Sequence, residues 1–354
     1  MKSEKIKIIY LYAEIMSYNV AIFNEYVKNH NAEVHVICWD SQKKTPYKAP
    51  KIEGVFYYGK SSFTQQSIID FVININPKMI VTSGWMDKFY INACKKLRSL
   101  NIPILAVSDT QYYGTIRQRL GVFYFKMFYK KAFSHLWVSG PFQYEYAKRL
   151  GYKNSEIIFN FLSADLSLFN EIYAKTSLGK KQKYPHQFLF AGRFAPEKGL
   201  HILIEAWNVI EDKKDWKLTL VGNGPLKEQL PVQNDIEILD FVQPEAFETI
   251  INQTGCFVLP SIKEPWALVL HEFSAAGLPI IASDACGASP YFLINNYNGY
   301  TFENGNVQDL KQKMEQIIQS SDEKLLEMSL FSHELGQRIT PEIVAKNSLS
   351  VIKT

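Results

Sequence analysis

The chain has 354 residues, 47% apolar and 21% charged, a globular composition that predicts two domains and excludes wholesale disorder. Four cysteines without a Cys-x-x-Cys pair argue against a disulfide framework or a zinc knuckle. The net charge of +4 is uneven, since residues 1–170 hold 22 Lys and Arg against 12 Asp and Glu, and the other 184 residues hold 17 against 23. The basic half indicates an anionic partner, which could be a phosphorylated substrate, a membrane surface or nucleic acid, or else a solvated lysine-rich surface.

Apolar runs of strand length alternate with segments of helical spacing, and none reaches the ~18 residues of a membrane span. The N-terminus carries Glu4, Lys5 and Lys7 where a signal peptide would be apolar, so it is predicted to be a strand and the protein is expected not to be secreted. In the first half, strands are predicted over residues 6–11, 33–38, 55–58, 79–83, 102–107, 135–138 and 157–161, and helices over 62–75 and 87–100.

The polar, aperiodic segment 173–187 predicts a linker between residues 1–172 and 188–354. Beyond it, strands are predicted over 188–191, 217–221, 236–239, 256–259 and 279–283, and helices over 199–210, 244–252, 267–276 and 307–319. Such alternation predicts two doubly wound α/β domains with parallel sheets. Ligands of such sheets bind beyond the carboxyl ends of the strands.

A first motif, FLFAGRFAPEKG, spans residues 188–199. Gly192 lets the chain turn sharply after a strand and lets a ligand approach the backbone. Arg193 and Lys198 flank this strand end, where two cations could hold a diphosphate. An ordinary strand-to-helix turn with surface charges would explain the same residues.

A second motif is Gly222-Asn223-Gly224, directly after a predicted strand. A dinucleotide fingerprint would need a third glycine, and Lys227 stands in its place. The motif is therefore interpreted as a tight glycine turn that lines a nucleotide site.

A third motif covers residues 259–288, in which a strand ends at Pro260-Ser261 and a helix begins near Ala267. Free N–H groups at such a helix start form an anion site. Glu264 lies in the loop before the helix, and Glu272 is expected to face outward two turns further on, where it could accept hydroxyl hydrogen bonds. The chain has no Asp-x-Asp pair and no metal-ligand spacing of His or Cys, so no metal is expected.

Together these motifs resemble the retaining family 4 glycosyltransferases, whose G-R-x3-E-K-G, G-x-G-P and P-S-x-x-E-x7-E patterns all occur here in order. Asn160, Asp165 and Phe169 resemble the family's N-G-x-D-x-x-x-F segment, with Phe161 at the glycine. The resemblance implies the GT-B fold, in which two Rossmann-like doubly wound domains face each other across a cleft. It also implies an N-terminal acceptor domain, a C-terminal donor domain and a last helix that packs back on the N-terminal domain.

The resemblance further implies residue roles. Arg193 and Lys198 would neutralise the donor diphosphate and stabilise it as a leaving group, and Glu264 would contact the hydroxyls of the transferred sugar. Glu272 would bind the ribose, and the amides of Leu268 and Val269 would bind the distal phosphate. The donor-binding positions implied are Gly192, Gly222, Gly224, Leu268, Val269 and Glu272.

The chain departs from the family pattern at several positions. Ala267 replaces a glycine, Tyr291 stands where an acid is frequent, and the loop 13–19 lacks a glycine pair. Asp109 follows a strand where the family often has a histidine, and it is our candidate for the catalytic residue of the N-terminal domain. The candidate acceptor-binding residues are Glu14, Arg117 and Arg119, of which the arginines would suit an anionic acceptor.

The resemblance implies a cofactor-free, metal-independent hexosyltransferase. It would move sugar with retention from a UDP- or GDP-sugar to a glycan, lipid-linked or other cytoplasmic acceptor, in cell-surface polysaccharide assembly. Two alternatives stay open, a sugar-nucleotide epimerase of the same fold and a non-catalytic sugar-nucleotide-binding partner of another transferase. The enzyme is expected in the cytoplasm or at the inner face of the membrane, with no nucleic acid partner.

The segment 122–133 (VFYFKMFYKKAF) interleaves aromatic residues with three lysines. Its aromatic residues Phe123, Phe125, Phe128 and Tyr129 do not form one helical stripe, which favours packing in the core. The alternative is contact with an anionic membrane surface, which the basic charge of the first half favours.

Overall fold

Each half of the chain builds its own parallel β-sheet with helices packed on it. The computed structural model describes residues 4–40, 47 and 49–352, and contacts divide the chain into an N-terminal unit, Met1–Ser163 with Thr340–Thr354, and a C-terminal unit, Ala164–Ile339. The elements of residues 4–163 are β1 (Ile6–Leu11), α1 (Ser17–Asn29), β2 (Ala32–Cys38), β3 (Val55–Gly59), α2 (Gln65–Ile75), β4 (Met79–Thr82), α3 (Lys88–Leu97), β5 (Ile104–Ser108), α4 (Ile116–Phe128), β6 (His135–Val138), α5 (Pro141–Arg149) and β7 (Ile157–Ile158).

The C-terminal unit repeats this alternation. Its elements are α6 (Leu166–Gln182), β8 (Gln187–Ala191), α7 (Leu200–Asn208), β9 (Lys217–Val221), β10 (Ile236–Leu239), α8 (Phe247–Asn252), β11 (Cys256–Leu259), α9 (Leu268–Ala275), β12 (Ile280–Ser283), α10 (Ser289–Phe292), β13 (Gly299–Phe302), α11 (Val307–Gln319) and α12 (Asp322–Gly336). None of the helices in the described ranges is both long and apolar enough to cross a bilayer.

Both sheets have the doubly wound order. In the described residues the first sheet runs β3-β2-β1-β4-β5-β6-β7 and the second β10-β9-β8-β11-β12-β13, with every pairing parallel. The winding therefore reverses between β1 and β4 in the first sheet and between β8 and β11 in the second. Ligands of open α/β sheets bind outside the carboxyl ends of strands at such a reversal. This topology confirms the predicted fold class of two Rossmann-like domains.

The prediction of a linker over residues 173–187 differs from the structure, because α6 covers most of that segment and the units divide after Ser163. The Asp165 carboxylate caps this helix by accepting a hydrogen bond from the Leu168 N–H. The buried face of α6 includes the polar residues Thr176 and Lys180. These two side chains interrupt the apolar period in the sequence, which is why the helix was not predicted.

The last helix, α13 (Pro341–Leu349), belongs to the N-terminal unit and packs on α1. Thr340 caps it, and its Val344 and Ala345 are fully buried. The Tyr26 and Ser348 hydroxyls form a buried hydrogen bond of 2.5 Å between the two helices. The chain thus leaves the N-terminal unit after Ser163 and returns to it after Ile339.

Candidate active site

The loops after β8 and β11 meet because these strands are neighbours in the sheet and run in the same direction. The Glu197 carbonyl accepts a hydrogen bond of 2.9 Å from the Ile262 N–H. The Glu264 carbonyl accepts one of 3.0 Å from the Gly287 N–H, which ties in the loop after β12. The first and third sequence motifs therefore form one site at the winding reversal of the C-terminal sheet.

Lys198 and Glu264 form an ion pair at the centre of this site. The Ser261 hydroxyl donates to the same Glu264 carboxylate oxygen at 3.2 Å. Side-chain exposure is 21% for Lys198 and 11% for Glu264, so solvent screens this pair less than a surface pair. A lysine ammonium has three N–H donors, and two remain for a further anion beside Glu264.

Two glycines of the motifs are required by close backbone packing. A Cβ on Gly199, which has φ +69°, would lie 2.0 Å from the Pro260 carbonyl oxygen, and a Cβ on Gly222 would lie 1.9 Å from the Gly192 carbonyl oxygen. The Phe194 N–H also donates at 2.8 Å to the Asn223 carbonyl. Gly222 is thus explained by contact between the loops after β8 and β9, without any ligand.

The α9 helix begins after Ala267, which has left-handed backbone angles of φ 78° and ψ 68°. The first N–H groups of the helix, at Leu268 and Val269, have no intrahelical acceptor, as helix geometry requires. The site therefore combines Lys198, Glu264 and a helix N-terminus, which together suit a phosphate-bearing ligand.

Replacing Ala267 with glycine is expected to stabilise the protein by about 0.5–1 kcal/mol. Left-handed backbone angles cost an L-residue roughly 1–2 kcal/mol, and glycine would remove this cost. Part of the gain is offset because glycine also increases the conformational entropy of the unfolded chain. Urea unfolding measures the change. The control is Ala206→Gly within α7, where glycine should destabilise by about 1 kcal/mol. Equal destabilisation by both substitutions would contradict the strain at Ala267.

Glu272 is half-buried on α9, in contrast to the expected outward orientation. Burial, followed by the charge of Asp165, raises the pKa of its carboxyl to about 7. The neighbouring His271 is a core residue whose pKa burial lowers to about 4. Its Nδ1 accepts from the Ala164 N–H at 3.0 Å and its Nε2 lies 2.8 Å from the Gly336 carbonyl, to which it donates as a neutral ring.

Replacing Glu272 with glutamine is expected to stabilise the protein at pH 8 by about 2–3 kcal/mol and to have little effect at pH 4. The unfolded carboxyl ionises near pH 4.5 and the folded one near 7, so the folded state loses stability as pH rises between these values. Thermal melting of both proteins from pH 4 to 8 checks this. Both keep His271, so the difference between them isolates Glu272. A constant difference across the range would contradict the prediction.

Arg193 is exposed and forms an ion pair with Glu197. Its side chain is 60% exposed, which leaves the guanidinium free to reorient toward an anion. Arg193 follows Gly192 at the end of β8, on the same loop that carries Lys198. The predicted cation pair therefore consists of one half-buried and one exposed group.

The N-terminal unit has a cavity of about 300 Å³ beyond the carboxyl ends of β1, β4 and β5. Glu14 and Asp109 both line it, although they are far apart in the sequence, because the loops after β1 and β5 flank that of β4. Glu14 is buried and Asp109 is exposed. This cavity lies at the winding reversal of the N-terminal sheet, where a ligand is expected.

Sequence reasoning missed the aromatic lining of this cavity. Tyr12 and Tyr18 line it together with Trp85 and Phe161. Burial raises the pKa of Tyr12 to about 12, and the nearby charge of Asp109 acts in the same direction. Tyr12 directly follows β1, and Trp85 and Phe161 lie in the loops after β4 and β7, which is the signal that could have identified these three. Tyr18 lies in the first turn of α1 and carries no such signal.

The predicted acceptor residues Arg117 and Arg119 are not among the residues that line the cavity. Both are exposed on α4, which begins six residues after Thr110 of the cavity wall. No lysine or arginine lines the cavity in the part of the chain that the structure describes. Within those same ranges, no group of three or more His, Cys, Asp or Glu side chains is placed to hold a metal ion.

Residues 174–329, which include most of the C-terminal unit, match the family model described as glycosyl transferases group 1. This part of the chain is therefore similar to the group 1 glycosyltransferases. An uncharacterized glycosyltransferase of Methanocaldococcus jannaschii is 30% identical over 140 residues, 38% of this chain and 38% of that protein. The capsular polysaccharide biosynthesis glycosyltransferase CapM of Staphylococcus aureus is 26% identical over 151 residues, 39% of this chain and 37% of that protein.

The chain thus spans less than two fifths of the length of these curated relatives. Among solved structures, Anabaena HepE in complex with UDP and glucose superposes with a TM-score of 0.70 at 16% identity, over 98% of this chain and 99% of that one. At this identity the likeness establishes the fold, which is that of the GT-B glycosyltransferases.

Proposed function

We propose that the protein is a retaining family 4 glycosyltransferase that moves a hexose-type sugar from a UDP- or GDP-sugar to a hydroxyl-bearing acceptor. The observation that carries the proposal is the Lys198–Glu264 ion pair beside the N-terminus of α9. Negative charge grows on the diphosphate as the glycosidic bond breaks, and a fixed cation with a helix N-terminus stabilises that charge. This arrangement would supply the neutralisation without a metal ion or another cofactor.

The donor would lie along α9 in the C-terminal unit. Lys198 and Arg193 would contact the diphosphate, and the amides of Leu268 and Val269 would bind the distal phosphate. Glu264, held by Ser261, would accept hydrogen bonds from hydroxyls of the transferred sugar. Glu272 would bind the ribose hydroxyls one or two turns further along the helix.

The cavity of the N-terminal unit supports an uncharged, hydroxyl-bearing acceptor end. Its polar lining includes Glu14 and Asp109 and its walls are aromatic, a combination suited to sugar rings and their hydroxyls. Asp109 would be the catalytic residue of this unit. The name of CapM supports a role in cell-surface polysaccharide assembly. The acceptor would be a glycan or a lipid-linked molecule in the cytoplasm.

A sugar-nucleotide epimerase and a non-catalytic binding partner would use the same donor groups, so binding and turnover must be measured separately. Thermal unfolding of the protein in the presence of UDP, GDP or ADP tests the donor site. A nucleotide present at 100 times its Kd stabilises the folded protein by about 2.7 kcal/mol. Donor consumption is then followed with and without a panel of saccharide and lipid-linked acceptors.

Nucleotide stabilisation with acceptor-dependent transfer and retained anomeric configuration is the expected result. Conversion of the donor sugar without an acceptor would instead favour the epimerase. Stabilisation without any turnover would favour the binding partner. If none of the three nucleotides raised the melting temperature, the donor site would be wrong.

A further inference from the structure

The α4 helix carries an apolar stripe on its solvent-exposed face. Ile116, Leu120, Phe123 and Met127 are between 53% and 76% exposed. Their spacing of four, three and four residues puts them within about 60° of one another around the helix, at 100° per residue. The sequence-based preference for packing this segment in the core is therefore wrong for Phe123 and its neighbours. The stripe begins at Ile116, outside the segment 122–133 to which that interpretation was confined.

The opposite face holds α4 in place. Phe125 is buried, and its ring contacts Trp85 at 4.8 Å and Tyr152 at 6.2 Å between centroids. Thr115 caps the first turn by accepting from the Gln118 N–H. The helix is thus anchored by one face, while the described residues of the N-terminal unit leave the stripe exposed.

Basic residues flank the stripe on both sides. At 100° per residue, Arg117 lies on one side of it and Arg119 and Lys126 lie on the other. These three side chains and Lys131 are exposed. The chain has no Asp or Glu between Asp109 and Glu145, so no acid of this segment neutralises them.

We propose that this face of α4 docks on the surface of an anionic bilayer, with the apolar stripe at the acyl boundary. Interfacial helices have this arrangement, an apolar stripe bordered by Lys and Arg that extend their charges to the headgroups. A second copy of the chain fits poorly, because a symmetric contact would bring like charges together. The complementary charge therefore selects anionic lipid as the occupant.

Docking would bring the cavity of the N-terminal unit to the membrane. Only residues 111–115 separate Thr110 of the cavity wall from the start of α4. A lipid-linked acceptor could then reach Glu14 and Asp109 while its anchor stayed in the bilayer. This consequence rests on the proposed function, whereas the docking itself does not.

Co-sedimentation with vesicles tests the proposal. The chain is mixed with vesicles of phosphatidylcholine alone or with 30% phosphatidylglycerol, at low and high salt. We expect binding to the anionic vesicles at low salt, which weakens as salt screens the charges. Leu120→Ser should reduce that binding about tenfold. The matched control is Leu178→Ser on α6, since Leu120 is 67% exposed and Leu178 is 66% exposed.

The basic flank is tested in the same assay. Arg117→Gln with Arg119→Gln should weaken binding by more than tenfold, because each basic residue near an anionic surface contributes a factor of about five. The control is Lys181→Gln with Lys183→Gln at the C-terminal end of α6. It lowers the net charge by the same amount and should leave most binding intact. Melting curves establish that each variant is folded.

Three outcomes would overturn the proposal. The first is no binding of the wild-type chain to anionic vesicles at low salt. The second is wild-type binding by folded Leu120→Ser. The third is a dimer in light scattering without lipid that Leu120→Ser makes monomeric, which would assign the stripe to a second copy of the chain.

Discussion

Replacing Lys198 with alanine is expected to lower the rate of donor turnover by about 10²–10³-fold, the usual loss when one fixed group that stabilises developing charge is removed. The lysine is half-buried against Glu264 in the loop after β8, so water would replace its charge poorly. Most of the effect should fall on kcat, because the diphosphate carries more charge in the transition state than in the bound donor. Steady-state kinetics of the purified variant measure this loss.

The control for this variant is Lys213→Ala. Lys213 is 23% exposed and pairs with Asp235 at 2.9 Å, which matches Lys198 in burial and pairing, but it lies away from the site. Both substitutions leave a carboxylate without its cation, so any loss of stability should be similar in the two variants. A folded Lys198→Ala enzyme that keeps the turnover of the Lys213→Ala control would refute the role of Lys198.

Glutamine at Glu264 and at Glu272 is expected to affect different kinetic constants. Glu264 lies beside Lys198, next to the sugar that reacts, so Glu264→Gln should mainly lower kcat. Glu272 would bind the ribose, which does not change during transfer, so Glu272→Gln should mainly raise the donor KM. Hydrogen bonds to a charged group contribute about 1.5–3 kcal/mol, which sets the expected effect at about 10- to 100-fold in each case.

Glu315→Gln is the control for both variants, because Glu315 is a half-buried glutamate on α11 that forms an ion pair with Lys311 of the same helix at 3.4 Å. It should leave both kinetic constants unchanged. An unaltered donor KM in Glu272→Gln, or a change confined to KM in Glu264→Gln, would be incompatible with the proposed orientation of the donor. If neither variant changed kcat or the donor KM, Glu264 and Glu272 would have a purely structural role.

The sequence alone determined the fold class and most of the strands. The run 256–259 is a continuous apolar segment, the runs 6–11 and 217–221 are mostly apolar, and the structure has strands with these bounds. Parallel strands covered on both faces must be apolar throughout, so each leaves a local signal. The glycine, lysine and glutamate motifs of the C-terminal half are also visible in short stretches of sequence, and they predicted which loops would form the site.

Only the tertiary structure decided which side chains meet and which faces stay uncovered. Lys198 and Glu264, 66 residues apart, pair because β8 and β11 are neighbours in the sheet. The sequence did not predict helix α6, because Thr176 and Lys180 on its buried face are polar. The exposure of the apolar stripe on α4 follows from how the described residues of its unit pack. Burial depends on what packs over a residue, and that partner comes from distant parts of the chain, which no local pattern specifies.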